Sequence, residues 1–153
     1  MPSAAAHGSV SPLVAVAEID GRGVTLALRW TIGADEAAEL REQLDVDGSG
    51  GLEGRERAIL GEVWAERARR AVRVDVGTSH LPLATVRAPD VEIEARSIVV
   101  TSMVRAEYPF WRGGEPSIRV DTGDPRHRTE VIVTRRFDPQ TVWVRALPCA
   151  HWL

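Results

Sequence analysis

The chain has 153 residues, 44% hydrophobic and 27% charged, with a formal net charge of −3. These proportions suit one globular domain with a sizeable core and exclude a disordered chain. That net charge argues against a basic nucleic-acid binder; all 19 basic residues are arginine, and the one cysteine, Cys149, excludes an intrachain disulfide and a cysteine zinc cage.

Residues 1–12 (MPSAAAHGSVSP) are small and nearly uncharged, and read as a flexible tail before a single domain at 13–153. They lack the basic and apolar regions of an intact signal peptide. Ala4-Ala5-Ala6 is similar to the small-residue pattern before a signal cleavage point. This favours an exported chain, periplasmic or extracellular, with its signal trimmed; a cytoplasmic chain with an Ala-rich tail is the other reading. No apolar run reaches the roughly 18 residues of a transmembrane helix.

A hairpin comes next. Val14, Val16 and Glu18-Ile19 make one strand, and Val24–Trp30 the other. Asp20-Gly21-Arg22-Gly23 is turn chemistry, with two glycines available for positive φ. The period then changes. Residues 34–44 place Ala37, Leu40 and Leu44 on one helical face. After a glycine-rich stretch at 45–51, a second helix runs to about Ala71, with Ile59, Leu60, Val63, Trp64 and Ala68 as its apolar face. From Val72 onward the signal is β. The strands expected are Val72–Val76, Leu81–Arg87, Val91–Arg96, Ile98–Glu107, Ser117–Asp121, Glu130–Arg136 and Thr141–Arg145. Residues 91–107 also read as one long bent strand. The expectation is an α+β, mainly β chain: an antiparallel, immunoglobulin-like β-sandwich whose helix pair is inserted between the second and third strands.

Charge is unevenly placed. Residues 35–56 hold eight acids (Asp35, Glu36, Glu39, Glu42, Asp45, Asp47, Glu53, Glu56) and two arginines. Acids packed this closely repel, and either a bound cation or a solvated helix face accounts for them. Residues 45–56 (DVDGSGGLEGRE) carry oxygen donors at alternating positions. Asp45, Asp47 and Ser49 stand at positions 1, 3 and 5. Gly50 stands at 6, where the chain turns sharply, and Gly51 offers its carbonyl at 7. Leu52 follows at 8, Glu53 at 9 (direct or through a water) and Glu56 at 12, with two carboxylate oxygens. A hard cation needs six to eight such oxygens at about 2.3–2.6 Å.

With amphipathic helices on both sides, residues 34–70 resemble the EF-hand calcium-binding family. The resemblance implies one bound Ca2+, ligated by Asp45, Asp47, Ser49, Gly51, Glu53 and Glu56, with Gly50 and Leu52 setting the loop geometry. Neutral Ser49 and two extra glycines weaken the site, so the expected dissociation constant falls at about 10⁻⁶–10⁻³ M. Members of the family usually pair their loops through position 8, but no second such loop exists here. Leu52 must pair across a homodimer or pack on the β-domain, and we favour the latter. The strand–helix–loop–helix–strand order, with the late Asp124-Pro125-Arg126-His127 stretch, is similar to secreted bacterial β-sandwich modules, some of them ectodomains of membrane proteins.

Other candidates are weaker. His7, His80, His127 and His151 form no helical zinc pair. Glu92 and Glu94 share a strand face that solvation explains. Trp30, Trp64 and Trp143 sit at core positions. Tyr108, Phe110 and Trp111 form a turn-like aromatic stretch suited to a partner surface. No catalytic constellation is visible, so the expectation is a non-enzymatic calcium-binding module, in which the ion locks the fold or switches the helix pair. The alternative is an adhesion or interaction domain, with structural calcium and a protein or glycan held at Tyr108–Trp111.

Overall fold

Alternation of period two over residues 13–32 yields β1 (Leu13–Asp20) and β2 (Gly23–Ile32). The computed structural model describes residues 12–108, 115–125, 127–135 and 145–146. Leu13, Ala15, Ala17 and Ile19 lie opposite Trp30, Leu28, Leu26 and Val24, and all eight are buried. Val14 and Val16 take the opposite face and are half-buried. Asp20 pairs with Gly23 across a two-residue turn. The glycines are not there for positive φ, since neither Gly21 nor Gly23 adopts it. Gly23 is required by close approach instead: a Cβ there would stand 2.1 Å from the Ala106 carbonyl oxygen.

The chain continues with α1 (Ala34–Leu44), α2 (Gly54–Ala71), β3 (Val72–Val76), β4 (Ser79–Leu81), β5 (Ala84–Ile93), β6 (Ile98–Glu107), β7 (Pro116–Val120), β8 (Thr129–Arg135) and β9 (Arg145–Ala146). The fold is α+β and mainly β. Five strands form one sheet in the order β5-β6-β2-β1-β8, and four form another in the order β4-β3-β7-β9. The expected antiparallel pattern needs correction at two places: β1–β8 and β7–β9 are parallel. In both pairs the later strand lies along the free edge of an earlier one and runs in its direction, an order that no local period encodes.

Two expected strands, Leu81–Arg87 and Val91–Arg96, are replaced by a different division. Ser79–Leu81 is a short strand, and β5 runs straight through Ala88-Pro89-Asp90 with register shifts between Thr85 and Arg87 and between Arg87 and Asp90. Proline and bulges are tolerated because β5 is an edge strand. Residues 91–107 are not one bent strand; a turn closed by the Glu94 N–H donating to the Ser97 carbonyl at 2.9 Å separates β5 from β6.

Helix α2 lies against β5, β6 and β2. It buries Leu60, Gly61, Trp64, Ala68 and Ala71, whereas Ile59 and Val63, expected on this face, are 44% and 52% exposed. Gly61 explains the rotation. A Cβ there would stand 2.9 Å from Val91 Cγ2 and 3.3 Å from Pro89 Cγ, so the close contact centres on Gly61 and turns Ile59 and Val63 outward. Trp64 meets Trp30 edge-on with ring centroids 4.8 Å apart, and His127 packs edge-on against Trp30 at 5.0 Å. The Arg67 guanidinium covers the Trp64 ring at 4.5 Å. Ala37, Leu52, Leu60 and both sheets share one buried cluster.

Candidate metal centre

The acidic loop begins where α1 ends. The Asp45 amide closes the helix by donating to the Arg41 carbonyl at 3.0 Å. Its carboxylate then folds back over the loop. Oδ1 accepts the Ser49 N–H at 2.9 Å and Oδ2 accepts the Gly50 N–H at 2.8 Å. Gly50 has φ of 79°, a left-handed conformation that costs an L-residue roughly 1–2 kcal/mol, which is why glycine stands there.

Asp47 Oδ1 accepts the Ser49 N–H at 3.0 Å, and hydrogen bonds from the Ser49 side chain and amide hold its carboxyl below the usual range. Glu56, in the first turn of α2, reaches back across the loop. Its Oε1 accepts the Val46 N–H at 2.7 Å. Its Oε2 is buried and has no hydrogen-bond partner among the described residues.

The carboxylates of Asp45, Asp47 and Glu56 thereby converge, with one oxygen from each within 4.8 Å of the others. Two oxygens on opposite sides of one calcium ion stand at most about 5 Å apart, twice the ligand distance. One hard cation therefore fits among them, and all-oxygen donors suit Ca2+, Mg2+ or Mn2+ over softer metals. Ser49 Oγ and the Gly51 carbonyl lie 3.3 Å apart on the same loop. Glu53 is exposed and stands outside the carboxylate group, where a water-bridged contact is the closest role open to it. Leu52 is only 3% exposed and belongs to the core cluster, so it packs on the β-domain and ties the loop down.

Charge balance is the second feature of this site. Among the described residues, none of the three carboxylates forms an ion pair. Arg41 and Arg57, which flank the loop, point elsewhere. Arg41 donates to the carbonyls of Glu94, Ala95 and Ser97 in the β5–β6 turn, and Arg57 to the carbonyl of Val91 on β5. Spacing gave no sign of these arginine anchors, because each depends on which strand lies alongside.

Elsewhere the candidates separate. The Tyr108 N–H donates to the Arg22 carbonyl at 2.9 Å. Burial pushes its phenol up, and its ring packs on the core. Phe110 and Trp111, the rest of the expected aromatic patch, lie outside the described residues, as do His7, Trp143, Cys149 and His151. His80 is exposed on β4 with Nδ1 3.4 Å from Asp75 Oδ1. His127 packs edge-on against Trp30, so these histidines do not join in a metal pair. No helix among the described residues is long and apolar enough to cross a membrane.

Comparison with known proteins gives no further guide: no family model, no curated protein and no solved structure matches the chain.

Proposed function

We propose that this chain is a calcium-binding module, with one ion held by Asp45, Asp47 and Glu56 and completed by Ser49, the Gly51 carbonyl and Glu53 through a water. One observation carries the reading: three convergent carboxylates form no ion pair among the described residues, and one of them, Glu56, has a buried oxygen without a hydrogen-bond partner. An ion there joins the end of α1 to the start of α2. Because Glu56 is already held by Val46, the ion acts as a brace, with little movement of α2. The resemblance of residues 34–70 to the EF-hand family, the immunoglobulin-like character of the sandwich, the non-enzymatic role and export all belong to this reading.

Thermal melting and titration calorimetry test it. At calcium near 100 times its dissociation constant, selective binding to the folded state adds about 2.7 kcal/mol. For a domain of this size that is a rise of roughly 5–10 °C in Tm. Glu56→Gln should abolish both the rise and the heat of binding. No calcium response in the parent chain, or an equal response in Glu56→Gln, overturns the proposal.

A further inference from the structure

A sheet edge is a row of backbone N–H and C=O groups without a neighbour, and proteins blunt such edges with short strands, proline, bulges or charge. Among the described residues, β4 and β9 span only three and two residues. The β5 edge is interrupted by Pro89 and by two register shifts. The remaining edge, β8, is blunted in none of these ways. It runs beside β1 over seven residues in unbroken register. It holds no proline or glycine, and Glu130 carries the one charge among its described side chains. Its centre, Val131-Ile132-Val133, is β-branched throughout.

The phase of the β1–β8 ladder fixes which backbone groups are open. The Leu13 N–H donates to the Arg128 carbonyl at 2.7 Å. In a parallel ladder, alternate residues of a strand turn both backbone groups to the neighbour. The groups of Glu130, Ile132 and Thr134 therefore point at β1, and those of Val131 and Val133 point away from it. Neither valine has a backbone partner on that outer side among the described residues. The side chains agree. Val131 and Val133 pack against the core yet stay half-buried. Ile132, on the opposite face beside Val16, is 42% exposed. The core thus runs to the β8 edge and is left open there.

We propose that β8 pairs antiparallel with β8 of a second copy of this chain, about a two-fold axis at Ile132, so that two five-stranded sheets join into one. In this register Val131 of each copy lies opposite Val133 of the other. The two pairs use every outward N–H and carbonyl of these valines. The two Ile132 side chains meet on the axis, each flanked by its own Val16, and cover one another. Glu130 lies opposite Thr134, so no like charges stand directly across the axis. Glu18, beside Thr134 on β1, is two strand spacings or about 10 Å from that Glu130, where salt screens it. A second copy fits because the strand matches itself in donors and acceptors, in its apolar centre and in charge. β8 supplies no ligand to the proposed calcium site, so the two readings stand separately.

Sedimentation velocity on the whole chain tests this. It should show a monomer–dimer equilibrium with a dissociation constant on the order of 10⁻⁵–10⁻⁴ M, since one strand edge is small beside the roughly 1,200–2,000 Å² of a standard interface. The equilibrium should be the same in calcium and in chelator. Ile132→Lys, which sets two ammonium groups on the axis, should weaken dimerisation at least tenfold while the dilute monomer keeps its Tm. Cross-linking tests the register. The two Ile132 Cα atoms form a non-hydrogen-bonded pair about 4.5 Å apart, within disulfide reach. Ile132→Cys combined with Cys149→Ser should therefore give a disulfide-linked dimer under mild oxidation. Glu130→Cys in the same background should not, because its two copies stand about 13 Å apart along the strands. A chain that stays monomeric well above that dissociation constant, a dimer untouched by Ile132→Lys, or linkage that fails at residue 132 or is equal at both positions overturns the proposal. Assemblies larger than a dimer overturn it too, because closed two-fold pairing ends at two copies.

Discussion

Two aspartates in this chain fold their carboxylates over turns and accept two backbone amides each, yet they differ in what balances their charge. Asp20 accepts the N–H groups of Arg22 and Gly23 at 2.7 and 2.9 Å, and Arg105 reaches it from β6 at 3.1 Å. Asp45 accepts the N–H groups of Ser49 and Gly50, but it converges with two more carboxylates and forms no ion pair among the described residues. The first turn is electrically complete within the chain. The second has no ion pair among the described residues, and in the proposed function a cation from outside completes it. Amides alone therefore do not distinguish the two turns, whereas the ion pair to Arg105 does.

Four changes break or sharpen this contrast. Leu52→Ala empties a core position beneath the acidic loop and should cost about 3 kcal/mol in denaturant unfolding, a loss that calcium only partly restores. Glu56→Gln should remove the whole calcium-dependent part of stability, about 2.7 kcal/mol under near-saturating ion, while leaving unfolding in chelator nearly unchanged. Asp20→Asn should cost about 1 kcal/mol with and without calcium, since its ion pair is only partly buried. Gly50→Ala should cost about 1 kcal/mol and weaken calcium binding, because the left-handed turn is strained by a Cβ.

The Asp20 substitution carries a pH signature. Burial raises its carboxyl, but the Arg105 guanidinium and the amides of Arg22 and Gly23 outweigh that and hold it below its ordinary value of 3.8. A carboxyl lowered in the folded state contributes stability above its unfolded value and loses it as pH falls through the folded one. The difference between parent and Asp20→Asn should therefore be full at neutral pH and vanish in acid once the pH falls below the lowered folded value. A difference that stays constant into acid would mean the turn geometry matters more than the charge pair.

Much of this contrast is legible in the sequence, for a physical reason. Local features are written locally: the helix at 34–44, the strands at 72–76 and 98–107 and the turn at Asp20–Gly23 all fall where period and turn residues place them. The convergence of Asp45, Asp47 and Glu56 is likewise a matter of spacing along one short loop. What spacing does not contain is partner choice. Ile59 and Val63 fit an apolar helix face by period alone, and only the approach of Pro89 and Val91 to Gly61 turns them outward. A glycine in the middle of a helix was the available signal. Pro89 looked like a strand end because an edge position, where proline is harmless, is not visible from one segment. Arg105 looked like any strand arginine until β6 was laid beside β2, two residues from the turn it neutralises.

The parallel pairing of β1 with β8 has a consequence for how the chain is made. Leu13 lies beside Thr129, more than a hundred residues later, so β1 leaves the ribosome well before the strand it pairs with. At ordinary synthesis rates that interval is on the order of ten seconds, during which the nascent β1–β2 hairpin carries an unpaired edge. Contacts of such long sequence range also slow folding once synthesis ends. A chain terminated before Thr129 keeps that edge permanently and should form insoluble aggregates by edge-to-edge pairing, measured as the pelleted fraction after expression.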